Sequence, residues 1–166
     1  GIQAIQTLWA GPWMLNITGY TPLQSATGLF WINITMLISY FIWGYILPKI
    51  SEYGISSIKL IKLGLPISYF SLFLIIYFGN NAGAFLFTLY IMTSIVISLT
   101  QPAIALNFSK NLAGKSLTSY NVFLFSGTFF IQWGIGLVID LCNNKGFDIV
   151  SSYRISFSVF LILCVL

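Results

Sequence analysis

Residues 25–47 read SATGLFWINITMLISYFIWGYIL, a run from Ser25 to Leu47 without one charged side chain. As an α-helix, rising about 1.5 Å per residue, this run is about 34 Å long, enough to cross a hydrocarbon core about 30 Å thick. Pro48 and Lys49 are expected to close it. Working outward, a second run spans Ile58–Phe78, with Lys59 and Lys62 able to snorkel from its first turns, and Gly79-Asn80-Asn81 ends it. A third runs from Ala84 to Leu106, with Pro102 expected to kink it, and a fourth from Tyr120 to Ile139. A fifth begins near Tyr153 and is cut at Leu166, while Gly1–Trp13 reads as the end of a helix broken at Gly11-Pro12. The expectation is an all-α, polytopic transmembrane bundle of four full and two partial spans.

Composition leads to the same class. Hydrophobic residues make up 58% of the 166 and charged residues 6%, against about 25% charged in a soluble domain. A chain this size cannot hide so much apolar surface in one core, so lipid has to cover the rest. The formal charge of +4 does not point to nucleic acid, because the basic residues sit between apolar runs and form no stripe. With no histidine and only Glu52, Asp140 and Asp148 as acids, zinc, haem and Ser-His chemistry lack ligands and bases, and no metal or cofactor is expected. Cys142, expected in a loop, and Cys164, in the last helix, would lie about 30 Å apart, too far for a disulfide.

Basic residues remain on the cytoplasmic side of a membrane. Lys49, Lys59, Lys62, Lys110 and Lys115 follow the first and third full spans and only Lys145 and Arg154 face the other way, which places Asn16, Asn80 and Asn143 outside. The triplets at Asn16, Asn33 and Asn107 read as chance rather than as glycosylation sites. The chain starts without Met and stops inside an apolar run, and the expectation is a piece of a longer protein.

A polar side chain inside a span must face another helix or water. In the third span Tyr90, Ser94, Ser98, Gln101 and Ala105 form one stripe, either lining a solute path or packing closely on a neighbour. In the fourth, Asn121, Phe125, Thr128, Gln132 and Gly136 are expected to share a face, with Gly134 and Gly136 allowing close approach. Asn33, Tyr40 and Gly44 share a face of the first span; the solute-path candidates are Gln3, Gln6, Trp9, Asn33, Tyr90, Ser94, Gln101 and Gln132. Gln3 and Gln6, beside Trp9, point to a polar cavity; Trp13 reads as an interfacial anchor. The run Leu72–Ile76 has no polar residue and is expected to face lipid. No acidic or basic residue lies at the centre of a span, so a proton-titrating group is expected elsewhere.

Four short motifs follow one another along the chain: Gln6-Thr7-Leu8-Trp9-Ala10-Gly11-Pro12-Trp13, Gly28-Leu29-Phe30 with Trp43-Gly44, Leu112-Ala113-Gly114-Lys115, and Gln132-Trp133-Gly134-Ile135-Gly136. In order and spacing they resemble the carboxy-terminal half of a bacterial major facilitator superfamily transporter. Gly44, Pro48, Lys49 and Lys59 echo that superfamily's cytoplasmic loop signature, with Pro48 where an acid would stand. The resemblance covers residues 1–166, as a six-helix half truncated at both ends. It implies a missing amino-terminal half, alternating access around a midplane site, and a multi-pass protein of the bacterial inner membrane moving a small solute, with protons or another ion as coupling species. A membrane-embedded enzyme and a non-transporting membrane scaffold are the rival readings; the first lacks a general base.

Overall fold

The computed structural model describes residues 2–166 except the side chains of Ile2 and Lys110; Gly1, where the broken helix was expected to begin, and the Lys110 charge lie outside the described residues. Among the described residues the chain is helical, without strands: α1 (residues 2–16), α2 (Pro22–Glu52), α3 (Ser57–Phe78), α4 (Ala84–Asn107), α5 (Lys110–Asn144) and α6 (Ile149–Val165). By length and composition α2 to α5 can each cross a membrane, whereas α6 has 17 residues. The all-α architecture with four full-length spans agrees with the hydropathy of the sequence.

Several boundaries differ from expectation. Helix α2 continues through Pro48 to Glu52, α5 starts at Lys110 rather than Tyr120, and it passes Asp140 to end at Asn144, so that Cys142 is helical. Hydropathy marks where a helix leaves lipid; the backbone can stay helical into water. Sequence signals for the true ends are local. Thr21 caps α2 in a reciprocal box, its Oγ1 accepting from the Gln24 N–H at 3.3 Å while Gln24 Oε1 accepts from the Thr21 N–H at 2.9 Å, and Pro22 occupies the first turn.

Gly11-Pro12 does not break α1. Ile5–Trp9 widens into a π turn, the Ala10 N–H reaching back to the Ile5 carbonyl, and α-helix resumes over Ala10–Asn16. Proline has no N–H to offer and its ring collides with the carbonyl four residues earlier, so the wider turn just before it relieves both problems. The chain turns instead after Asn16, where Gly19 takes φ +73°. Pro102 has a similar effect: Ile95–Leu99 tightens into a 3₁₀ turn and α-helix returns over Thr100–Asn107.

Helix α4 packs against α2 and α3 and, through its last turns, against α5; α1 packs on α2, α5 and α6. Between them lies an aromatic core. Trp13, fully buried, stacks on Phe157 at 4.8 Å between ring centroids and meets Phe87 and Tyr153 edge-on at 6.1 Å each. Trp13 is thus a core residue and not an interfacial anchor. The lipid-facing expectation for Leu72–Ile76 also fails in part, because Leu72, Ile75 and Ile76 are buried where α3 meets α4 and α6. Apolar residues suit a dry helix interface as well as lipid, so lack of polarity could not separate the two. The exposed face of α3 carries Leu63, Ile67, Phe70 and Tyr77 instead.

At the start of α6 the Asp148 carboxylate accepts from the Ser151 N–H at 3.0 Å and from the Ser151 hydroxyl at 2.6 Å. These bonds hold the carboxyl below its ordinary value of 3.8. The cap's stabilisation is therefore fully present above the unfolded value and is lost as pH falls through the lower, folded one. Amide exchange at Ser151 and Ser152 is expected to speed up on acidification through that window, and in Asp148→Asn to lose this pH dependence.

Candidate functional site

A cavity of about 390 Å³ opens between α1, α2, α4 and α5, with Cys164 of α6 at its wall. Its polar lining is Gln3, Tyr40, Ser98, Gln101, Tyr120 and Thr128; Ile97 and Leu124 supply apolar surface. Each comes from a helix of membrane-crossing composition or from α1, and the irregular turns of α1 and α4 lie beside it. Gln3 sits just before the π turn, and Ser98 lies within the 3₁₀ turn, three residues from Gln101.

The polar residues divide into two groups. One group ties α1 to its neighbours. Gln6 Nε2 donates to Asn33 Oδ1 at 3.2 Å, Gln132 Nε2 donates to Thr7 Oγ1 at 2.9 Å, and the Trp9 indole N–H donates to the Gln132 carbonyl at 3.2 Å. Gln6, Trp9, Asn33 and Gln132, all read from the sequence as solute-path candidates, thus form a ladder between helices. Gln6 Oε1 is buried without a partner among the described residues.

The other group faces the cavity. Gln3 Nε2 reaches the Tyr40 hydroxyl at 3.5 Å. Ser98 and Gln101 lie further along the wall, and neither side chain hydrogen-bonds any described residue. Gln101 is exposed and Ser98 half-buried, so on a helix of membrane-crossing length both groups are open to water or a solute.

Tyr90 and Ser94, the first half of the expected α4 stripe, turn into the core instead. Both are buried, the Ser94 hydroxyl donates to the Tyr90 carbonyl, and Ser94 borders a cleft of about 10 Å³. The stripe changes surroundings at the 3₁₀ turn, because tightening the backbone rotates the residues beyond it. On α5 the inward face is Tyr120, Leu124, Thr128, Gln132 and Gly136, spaced four apart; Asn121 and Phe125 face outward. Counting back from Gln132 in fours would have found Tyr120, but the helix was taken to start there. Cys164 carried no sequence signal beyond its apolar helix.

The motif residues have varied surroundings. A Cβ on Gly136 would sit 3.4 Å from the Trp9 ring and one on Gly11 3.4 Å from Leu29 Cδ1, whereas Gly134 and Gly44 face open space. Among the described residues Gly134 therefore mediates no close approach. Gly44 and Pro102 border a second cavity of about 200 Å³ continuous in lining with Tyr40, Ser98 and Gln101. Lys49 folds back on its own helix, its Nζ donating to the Tyr45 hydroxyl at 2.7 Å and lying 4.1 Å from that ring's centroid.

Comparison with family models, curated proteins and solved structures gives no match to this chain.

Proposed function

We propose that this chain forms one wall of the solute path in a secondary active transporter. In this reading it is the carboxy-terminal half of a major facilitator superfamily type protein of the inner membrane, working with an amino-terminal half by alternating access. The observation that carries the proposal is the 390 Å³ cavity in which Ser98 and Gln101, on a membrane-length helix, hold polar groups that no described residue satisfies. A protein that only needed a stable bundle would pair such groups or replace them by apolar ones. The irregular turns next to the cavity support the reading further, since π and 3₁₀ interruptions are local departures that a rocking helix can use as hinges. The short sequence motifs support assignment to the superfamily type, and α2 and α5 leave much of their surface free for a facing half. The solute would be recognised by hydrogen bonds and released by reorientation, with no covalent step; a proton or other coupling ion would be handled outside this wall.

The test is uptake by the full-length protein in proteoliposomes under an imposed proton or sodium gradient, over a panel of labelled small solutes. Gradient-dependent accumulation of at least one solute is expected. Absence of flux and of solute-dependent thermal stabilisation across the panel would overturn the reading. Because the Gln101 side chain has no partner among the described residues, Gln101→Ala is expected to change stability by less than about 0.5 kcal/mol while lowering uptake of that solute about ten-fold or more, the scale of a lost hydrogen bond to a bound ligand. Thermal unfolding and initial uptake rates, measured on the same preparation, check both halves of that statement.

A further inference from the structure

We propose that the cavity takes an uncharged solute bearing hydroxyl or amide groups, and that its wall discriminates against organic anions and cations of the same size. The proposal rests on the transport reading above and names the substrate class of that site.

The polar lining consists of two amides and four hydroxyls, from Gln3, Gln101, Tyr40, Ser98, Tyr120 and Thr128. Amides and hydroxyls each both donate and accept, so together they complement a ligand whose surface alternates the two roles. None of the lining residues carries a formal charge. The charges of the described side chains lie near the helix ends instead: Lys49 and Glu52 in the last turns of α2, Lys59 and Lys62 in the first turns of α3, Lys115 in the second turn of α5, Asp140 and Lys145 at its far end, Asp148 at the cap of α6 and Arg154 in its second turn. A charged solute entering this cavity would leave water without meeting a counter-charge on this wall, and an unpaired ion is far costlier to desolvate than a neutral polar group. Ser98 and Gln101, whose side chains bond none of the described residues, are the groups such a neutral ligand would satisfy. The volume, about 390 Å³, lies near the lower end of the range for small-molecule sites, which fits a compact solute.

Cys164, on the cavity wall, gives a readout that needs no knowledge of the natural solute. The experiment uses the full-length protein in proteoliposomes with Cys142→Ser and any other cysteine replaced, leaving the Cys164 thiol. Three methanethiosulfonates of similar size are compared, carrying hydroxyethyl, sulfonatoethyl or trimethylammonioethyl groups, each rate divided by that for a free thiol in solution. The uncharged reagent is expected to label about ten-fold faster than either charged one. In Gln101→Glu the cationic reagent is expected to gain about five-fold or more on the uncharged one, because a carboxylate then faces the same space. Equal normalised rates for all three would overturn the assignment of an uncharged solute and leave the transport reading standing. Unchanged proportions in Gln101→Glu would also overturn the assignment, because Gln101 would not face the path. If no reagent reacts until the protein is denatured, there is no water-filled path, and the transport reading falls with the proposal.

Discussion

Trp13→Ala is expected to destabilise the bundle by about 3–5 kcal/mol, the usual cost of removing a large aromatic side chain from a closed core. Trp13 is fully buried, stacked on Phe157 and flanked by Phe87 and Tyr153, so one side chain joins α1, α4 and α6. Lipid-facing atoms find equally good partners in acyl chains, but an interior void finds none, so the loss is one of packing rather than of hydrophobic transfer. The indole N–H is buried without an acceptor among the described residues. Trp13→Phe therefore removes an unpaired donor together with some volume, and is expected to cost much less than the alanine change. Trp133, more than half exposed on α5, provides the control. Thermal unfolding in detergent should rank the variants with Trp13→Ala lowest and Trp133→Ala near wild type. A Trp13→Ala midpoint no lower than that of Trp133→Ala would show that this cluster does not hold the helices together.

The second large effect is expected where α3 crosses the 3₁₀ turn of α4. A Cβ on Gly64 would lie 2.8 Å from Val96 Cγ1, 3.0 Å from Cγ2 and 3.1 Å from Cβ. A β-branched side chain has little freedom to turn away, so the helices themselves must separate. Gly64→Ala is expected to cost about 1–3 kcal/mol, as over-packing does elsewhere. Val96→Ala alone should also destabilise, by opening a void. Combined, the two changes exchange volumes across one contact, and the double variant is expected to be more stable than the sum of the singles predicts by about 1 kcal/mol or more. Strict additivity in a denaturation series would mean that Gly64 and Val96 do not meet.

These two sites illustrate what the sequence could and could not reveal. The class of the fold was legible because lipid imposes a length and a polarity that no soluble helix needs: Ser25–Leu47 declares itself without reference to any other residue. The ends of α2 and α5 were not, because beyond the hydrocarbon nothing obliges a helix to stop. Residues such as Leu72 and Ile75 could not be assigned to lipid or to a partner, since both environments reward the same side chains. The candidate cavity was half legible. Gln3, Ser98 and Gln101 stood out as polar residues on apolar helices, and they line it. Gln6, Asn33 and Gln132 stood out for the same reason and instead bond one another's helices. Polarity announces that a group needs a partner; only the three-dimensional arrangement says whether that partner is another helix or a guest. Tyr90 and Ser94 take the packing alternative while Ser98 and Gln101 line the cavity, a division the sequence did not show because the stripe was drawn on a regular helix and the 3₁₀ turn intervenes.

The π turn in α1 sets a limit on how the length of this segment can vary. A π turn is an α-helix carrying one surplus residue. Deleting a single position among residues 5–8 would restore a regular helix and swing everything on the amino-terminal side by about 100°, one residue's rotation. Gln3 would then turn away from Tyr40, while Trp9, the last residue of the turn, kept its hold on Gln132. The surplus residue thus acts as a phase adjuster: it lets one helix present a tethering face within the turn, at Gln6, Thr7 and Trp9, and a cavity face at Gln3 before it, two faces that a uniform helical repeat would not bring into alignment.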